Sequence, residues 1–169
     1  MSKMIIRDEK CSDFEAITEI TLGAFQDLAV SRHTEQFIIH ALRKAGALTI
    51  SLVAEIDGQV VGHIAFSPVT MSDGTVGWYG LGPISVVPRL QRQGIGKALM
   101  REGLSRLRAL GAKGCALVGD PNYYVKFGFK NAPGLIHEGI PQEVFFVLTF
   151  DSVIPRGKVE FHEAFKAEH

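Results

Sequence analysis

The segment that most constrains this chain runs from Trp78 to Val118. An apolar stretch, Trp78–Val87, is ended by Pro88, as a strand often is. A turn holding Gly94 and Gly96 follows, and then the longest helical pattern in the chain, Gln93–Leu110. Gly111 stops that helix, and Gly114–Val118 reads as a further strand. Ile95, Leu99, Leu107 and Leu110 make the predicted buried stripe, with Lys97, Arg101, Ser105 and Arg108 in a row on another face. Strand, turn, amphipathic helix and strand in that order make this an α/β chain.

The flanking sequence adds antiparallel strands and two more helices. Lys3–Arg7 reads as a short first strand. Cys11–Phe25 and His33–Lys44 carry apolar residues at helical spacing; Ser12 and Asp13 open the first, and Gly46 closes the second. The period then changes: Leu48–Ile56 and Val60–Phe66 flank Asp57-Gly58, a hairpin signal, and Asp73-Gly74 marks another turn. Downstream, Asn122–Lys126 reads as a short helix, Val144–Phe150 as a strand, and Lys158–Lys166 as a strand leading into a short helix. The predicted sheet is mixed and mostly antiparallel, with helices on both faces.

At about 150 residues per domain, 169 residues make one domain. Lys plus Arg and Asp plus Glu each number 18, so the net charge is zero. A protein that grips nucleic acid by neutralising phosphates carries a basic excess, so no nucleic-acid partner is expected. Cys11 and Cys115 lie far apart and match no metal or redox spacing, so both read as reduced thiols. The start, MSKMIIRDEK, has no apolar signal region, and the apolar stretch Ala47–Ile56 is too short to span a bilayer. The expectation is a soluble cytoplasmic protein, monomer or homodimer, with no membrane partner.

The glycine turn carries the chemistry. The first N–H groups of a helix have no internal partner, and the helix dipole adds partial positive charge there. Gly94 and Gly96 let the backbone approach an anion closely, and Arg89, Arg92 and Lys97 add charge, so the turn suits a pyrophosphate. Two known phosphate loops fail on spacing. A dinucleotide fingerprint needs a small residue where Leu99 stands, and a Walker loop needs Ser or Thr where Ala98 stands. What fits is Q-x-x-G-x-G at Gln91, Gly94 and Gly96.

That turn, set between strand and helix, resembles motif A of the GNAT acetyltransferases. Downstream, Tyr124-Val-Lys-Phe-Gly128-Phe129 matches the Y-x-x-x-G-F of the same superfamily. The stretches around Gly62–Pro68, Trp78–Pro83 and Gly119–Phe129 are similar to its YhbS-like branch. The resemblance covers residues 3–150, read as an N-acetyltransferase domain, with 151–169 as a C-terminal extension packed on it. It implies a GNAT-like fold with a splayed strand pair at the acetyl-CoA site, and acetyl transfer from acetyl-CoA, without a metal, to an amine of a small molecule or peptide.

By the same resemblance, Gln91, Arg92, Gln93, Gly94, Ile95, Gly96 and Lys97 hold the pyrophosphate. Ile84, Ser85 and Val86 hold the pantetheine, and a backbone N–H among them polarises the thioester carbonyl. Tyr124 stands where family members place the acid that protonates the leaving thiolate; packing under the pantetheine is the alternative role, and Tyr123 should point elsewhere. For the base the chain offers Glu55, His63, Asp120 and His137, or a water chain to which Glu55 or Asp120 contributes. Asp120 before Pro121 also reads as a helix cap, and His63 as a satisfied sheet histidine. His162-Glu163 begins like a zinc-protease helix but lacks the second histidine. A non-catalytic acyl-CoA sensor of the same fold and a nucleotide-binding module are the other classes to weigh.

Overall fold

The computed structural model describes residues 3–28 and 31–169. These divide into two compact units: residues 1–66, 82–106 and 163–169 belong to unit 1, and residues 67–81 and 107–162 to unit 2. Two long strands contribute to both.

In unit 1, β1 (Met4–Asp8), β2 (Ile50–Ile56) and the first half of β3 (Gln59–Met71) form an antiparallel ladder, with Ile5 opposite Glu55 and Val53 opposite His63. Asp57 and Gly58 take φ of 52° and 78°, the left-handed pair that a two-residue hairpin needs. Helices cover both faces of this ladder. Ala54 and Gly62 face each other across the strands. A Cβ on Gly62 would stand 3.0 Å from Leu99 and 3.1 Å from Ile95, so α3 (Ile95–Ala109) packs directly on this glycine. Val53 points the other way, onto Ile17 of α1 (Phe14–Phe25) and Ile39 of α2 (Glu35–Lys44).

The helix ends follow from local chemistry. Asp13, expected at the start of α1, closes a 3-10 turn (Cys11–Asp13) just before it, and its carboxylate accepts the Lys10 N–H at 2.7 Å. Gly46 ends α2 at φ 69°, and Ala47 N–H returns to the Leu42 carbonyl. Helix α3 starts at Ile95 rather than Gln93, because Gly94 lies at φ 90° and takes the position before it. Its buried stripe is Ile95, Leu99, Met100 and Leu107. Leu110 does not belong to the stripe: it is 56% exposed, because the chain has already turned toward Gly111.

Unit 2 holds β5 (Gly114–Val118), β6 (Leu135–His137), β7 (Phe145–Thr149) and β8 (Gly157–Phe161), with the first part of β4 (Trp78–Val86) and the end of β3. Strand β5 pairs with β7 antiparallel and with β4 parallel; β8 pairs with β6 parallel and with β3 antiparallel. Their core gathers Trp78, Phe145, Val147, Leu135 and Val159. The strand expected over Val60–Phe66 runs on to Met71, because Val69–Met71 find a partner in β8. Strand β6 escaped the sequence reading because three residues carry no period. Residues 151–169 divide: β8 belongs to unit 2, while Ala164 in unit 1 packs with Ile38, Leu42 and Ala47. Among the described residues no helix is long and apolar enough to cross a membrane.

Candidate active site

The turn between β4 and α3 is built by three local devices. Gln91 folds back, and its side-chain Nε2 donates to the Val86 carbonyl at 3.1 Å, tying the turn to the end of β4. Arg92 and Gly94 lie at φ 65° and 90°, so the backbone doubles back twice before the helix. The first helical bond runs from Ala98 N–H to Gly94 carbonyl at 3.0 Å. The N–H groups of Ile95, Gly96 and Lys97 therefore precede the helical ladder and point out of its end. No acidic side chain sits in this first turn, and Arg92, Gln93 and Lys97 are exposed. Ile95 is 4% exposed, so its side chain anchors the turn in the core and only its backbone can meet an anion. The left-handed Arg92 had no sequence signal, since a non-glycine residue rarely adopts that conformation.

Ile84, Ser85 and Val86 lie at the end of β4 that feeds this turn. Ile84 is half-buried; Ser85 and Val86 are buried. The parallel ladder of β4 with β5 comprises three pairs and ends at Gly80 opposite Ala116. Leu117 and Val118 go on pairing with β7. Ser85 Oγ, fully buried, has no hydrogen-bond partner.

In unit 2, α4 (Pro121–Tyr124) sets Tyr124. Asp120 caps it, accepting the Asn122 N–H at 2.9 Å, and Pro121 occupies the first turn. The Tyr124 ring lies across Gly119, where a Cβ would come within 2.3 Å of it. It stands edge-on to Tyr123 at 4.9 Å and to Phe129 at 6.1 Å. Gly128 turns the chain at φ 95°, which buries Phe129. The Y-x-x-x-G-F spacing is thus one folded unit. Burial, with smaller contributions from Tyr123 and Asp120, pushes the Tyr124 phenol up to about 12. Tyr123 instead carries the Lys126 ammonium 4.4 Å from its ring centre.

The four candidate bases differ sharply. Glu55 is held by Arg7, whose Nε and Nη2 donate to its Oε1 at 3.1 and 2.9 Å; the same guanidinium grips Asp13. Asp120 is the cap of α4. His137 stacks on Phe161, centroids 4.8 Å apart and planes 11° from parallel, and burial holds its pKa below the usual value. His63 is fully buried, and burial, partly offset by Glu9 and reinforced by Arg43, pushes it down to about 4. Its Nε2 lies 2.7 Å from Ser51 Oγ, which donates to Glu9 at 2.7 Å; Arg43 grips Glu9 with two bonds. Ser51, Glu9 and Arg43 escaped the sequence reading because no local pattern links positions so far apart. Among the described residues no three His, Cys, Asp or Glu side chains gather to hold a metal ion.

Comparisons with known proteins agree with this geometry. The model of the acetyltransferase (GNAT) family matches residues 14–129. The chain is 36% identical over 130 residues to a protein named as uncharacterized N-acetyltransferase YhbS of Escherichia coli K12, covering 76% of this chain and 75% of that one. A crystal structure of a GNAT family acetyltransferase from Brucella melitensis in complex with acetyl-CoA matches with a TM-score of 0.87 at 49% identity, covering 96% of this chain and 98% of that one. The crystal structure of Escherichia coli YhbS in complex with CoA matches at 0.90 with 32% identity, covering 100% of this chain and 95% of that one. The mixed α/β sheet, the glycine turn that opens α3 and these likenesses lead to one conclusion: the chain belongs to the GNAT family of acetyltransferases.

Proposed function

We propose that this protein moves the acetyl group of acetyl-CoA to a primary amine of a small molecule or peptide, by direct attack in a ternary complex. The observation that carries this reading is the start of α3: three outward N–H groups, no acid in the first turn, and exposed Arg92 and Lys97 beside them. That arrangement suits a pyrophosphate. The relatives bound to acetyl-CoA and CoA support the same ligand here.

In this reading Gln91–Lys97 hold the pyrophosphate, with Gln91 shaping the turn. Ile84, Ser85 and Val86 carry the pantetheine, and a backbone N–H of this stretch stabilises the oxyanion as the amine attacks. Tyr124 donates to the departing thiolate; a phenol of ordinary pKa, about 10, is already protonated at neutral pH, and burial pushes this one further up. The amine must be neutral when it attacks, although a lysine-like ammonium has a pKa of about 10 and arrives protonated. No single side chain is an indispensable base. Glu55 and Asp120 assist through ordered water, and each is also tied down locally, by Arg7 and by the start of α4.

An acceptor screen by thiol release tests the reading, covering polyamines, amino acids, aminoglycosides and peptide N-termini. Release with one amine class supports it. Tight acetyl-CoA binding with no release across the panel would replace it with the non-catalytic sensor.

A further inference from the structure

Among the described residues of unit 1, two buried side-chain polar atoms are left without partners: His63 Nδ1 and Ser85 Oγ. Neither has a role in the hydrogen bonding of the sheet, and buried polar atoms are rarely left so. They come from neighbouring strands. β3 and β4 are adjacent, joined by the short connection 72–77, and Val87 N–H donates to the Val61 carbonyl at 2.9 Å. Counting back along that antiparallel pair sets Gly62 against Val86 and His63 against Ser85. The 3.2 Å approach of a Gly62 Cβ to the Ser85 carbonyl agrees with this register. Residues directly opposite share a face, so both unpartnered atoms lie on the face turned away from α3.

The other ring nitrogen of His63 leads outward. Ser51 Oγ has a single hydrogen, which it gives to the Glu9 carboxylate. It must therefore accept from His63 Nε2 at 2.7 Å. That requirement fixes the neutral tautomer: Nε2 carries the hydrogen, and the buried, unpartnered Nδ1 is left with a bare lone pair. Glu9, whose side chain is 14% exposed, ends the line near the surface, gripped by Arg43.

We propose that Ser85, His63, Ser51 and Glu9 form a proton line that, beside the ordered water assisted by Glu55 and Asp120, carries the acceptor amine's proton from β4 to the Glu9 carboxylate. The proposal rests on the acetyl-transfer reading above, which puts the thioester against Ile84–Val86. The hops balance. The amine N–H bond breaks as its proton goes to Ser85 Oγ, and the Ser85 hydroxyl hydrogen passes through one bridging water to His63 Nδ1. The Nε2 hydrogen then passes to Ser51 Oγ, and the Ser51 hydrogen to Glu9. The ammonium charge is lost and the Glu9 carboxylate is neutralised; His63 changes tautomer without becoming charged. Once product leaves, the hops reverse and the proton reaches solvent through the vacated site. The charged groups acting on His63 are Glu9, from the β1–α1 connection, and Arg43 of α2; its β2 and β4 neighbours Ser51 and Ser85 are neutral.

Two measurements test the line. Nitrogen-15 spectra of the histidine-labelled protein at pH 7 should show His63 neutral with hydrogen on Nε2, and Ser85→Ala should move the Nδ1 resonance toward that of an unbonded nitrogen. Hydrogen on Nδ1, or an Nδ1 signal indifferent to Ser85→Ala, overturns the proposal. The second uses acetyl-CoA with methylamine as the probe amine. Glu9→Gln keeps a group that can still bond Ser51 and should lower kcat/KM about ten-fold at pH 7, with little loss at pH 10, where more of the amine arrives neutral, and with a smaller solvent deuterium isotope effect. An equal loss at both pH values with an unchanged isotope effect marks a merely structural role and overturns the line. The spectra need no acceptor, so failure of the transferase reading is distinguishable from a broken line.

Discussion

At the scale of single residues, burial decides more than residue type. Tyr123 and Tyr124 are adjacent, but only Tyr124 lies across Gly119, and its phenol is pushed up to about 12. If it serves the leaving thiolate, Tyr124→Phe lowers kcat about ten-fold or more and leaves acetyl-CoA affinity within a few-fold; steady-state rates with calorimetry check this, and an unchanged kcat reduces Tyr124 to packing. His63 gives a stability prediction. Its folded pKa of about 4 lies below the usual 6.5, so between these values the unfolded chain binds the extra proton. The contribution is fully present above pH 6.5 and is lost as pH falls toward 4, amounting to at most about 3 kcal/mol. Urea titrations across that window should show stability falling with pH, with a flatter slope in His63→Gln.

At the scale of elements, the β4–turn–α3 unit is where sequence and site coincide. A glutamate in the first turn of α3 is favourable to the helix dipole itself. It is also repulsive to any anion bound there. Gly96→Glu should therefore leave the protein folded and abolish acetyl-CoA binding; circular dichroism and calorimetry separate the two effects, and retained affinity in a folded variant would move the pyrophosphate site elsewhere. The short elements behave differently. β6 and the end of β3 exist because β8 offers them partners, which no local propensity encodes.

At the scale of the whole molecule, ligand binding and folding are linked by mass action. Acetyl-CoA at a hundred times its Kd should stabilise the protein by about 2.7 kcal/mol. For a chain of this length that raises the Tm by roughly 5–10 °C. Thermal unfolding with and without acetyl-CoA measures the shift. Gly96→Glu should show none; an equal shift in that variant would assign the stabilisation to another site.

What depends on neighbours along the chain was legible before any folding. Gly94 and Gly96 open a helix after an apolar strand, and Asp57-Gly58 closes a hairpin, because backbone freedom and period are local properties. The family was legible for the same reason, since both of its motifs are short and contiguous. Tertiary structure alone decided what depends on distant partners. It exposed Leu110, carried β3 past Pro68, gave Glu55 to Arg7, and set His63 in line with Ser51, Glu9 and Arg43. Burial and hydrogen-bond partnership are properties of the folded surroundings, so a residue's role in proton transfer becomes readable only once its neighbours are in place.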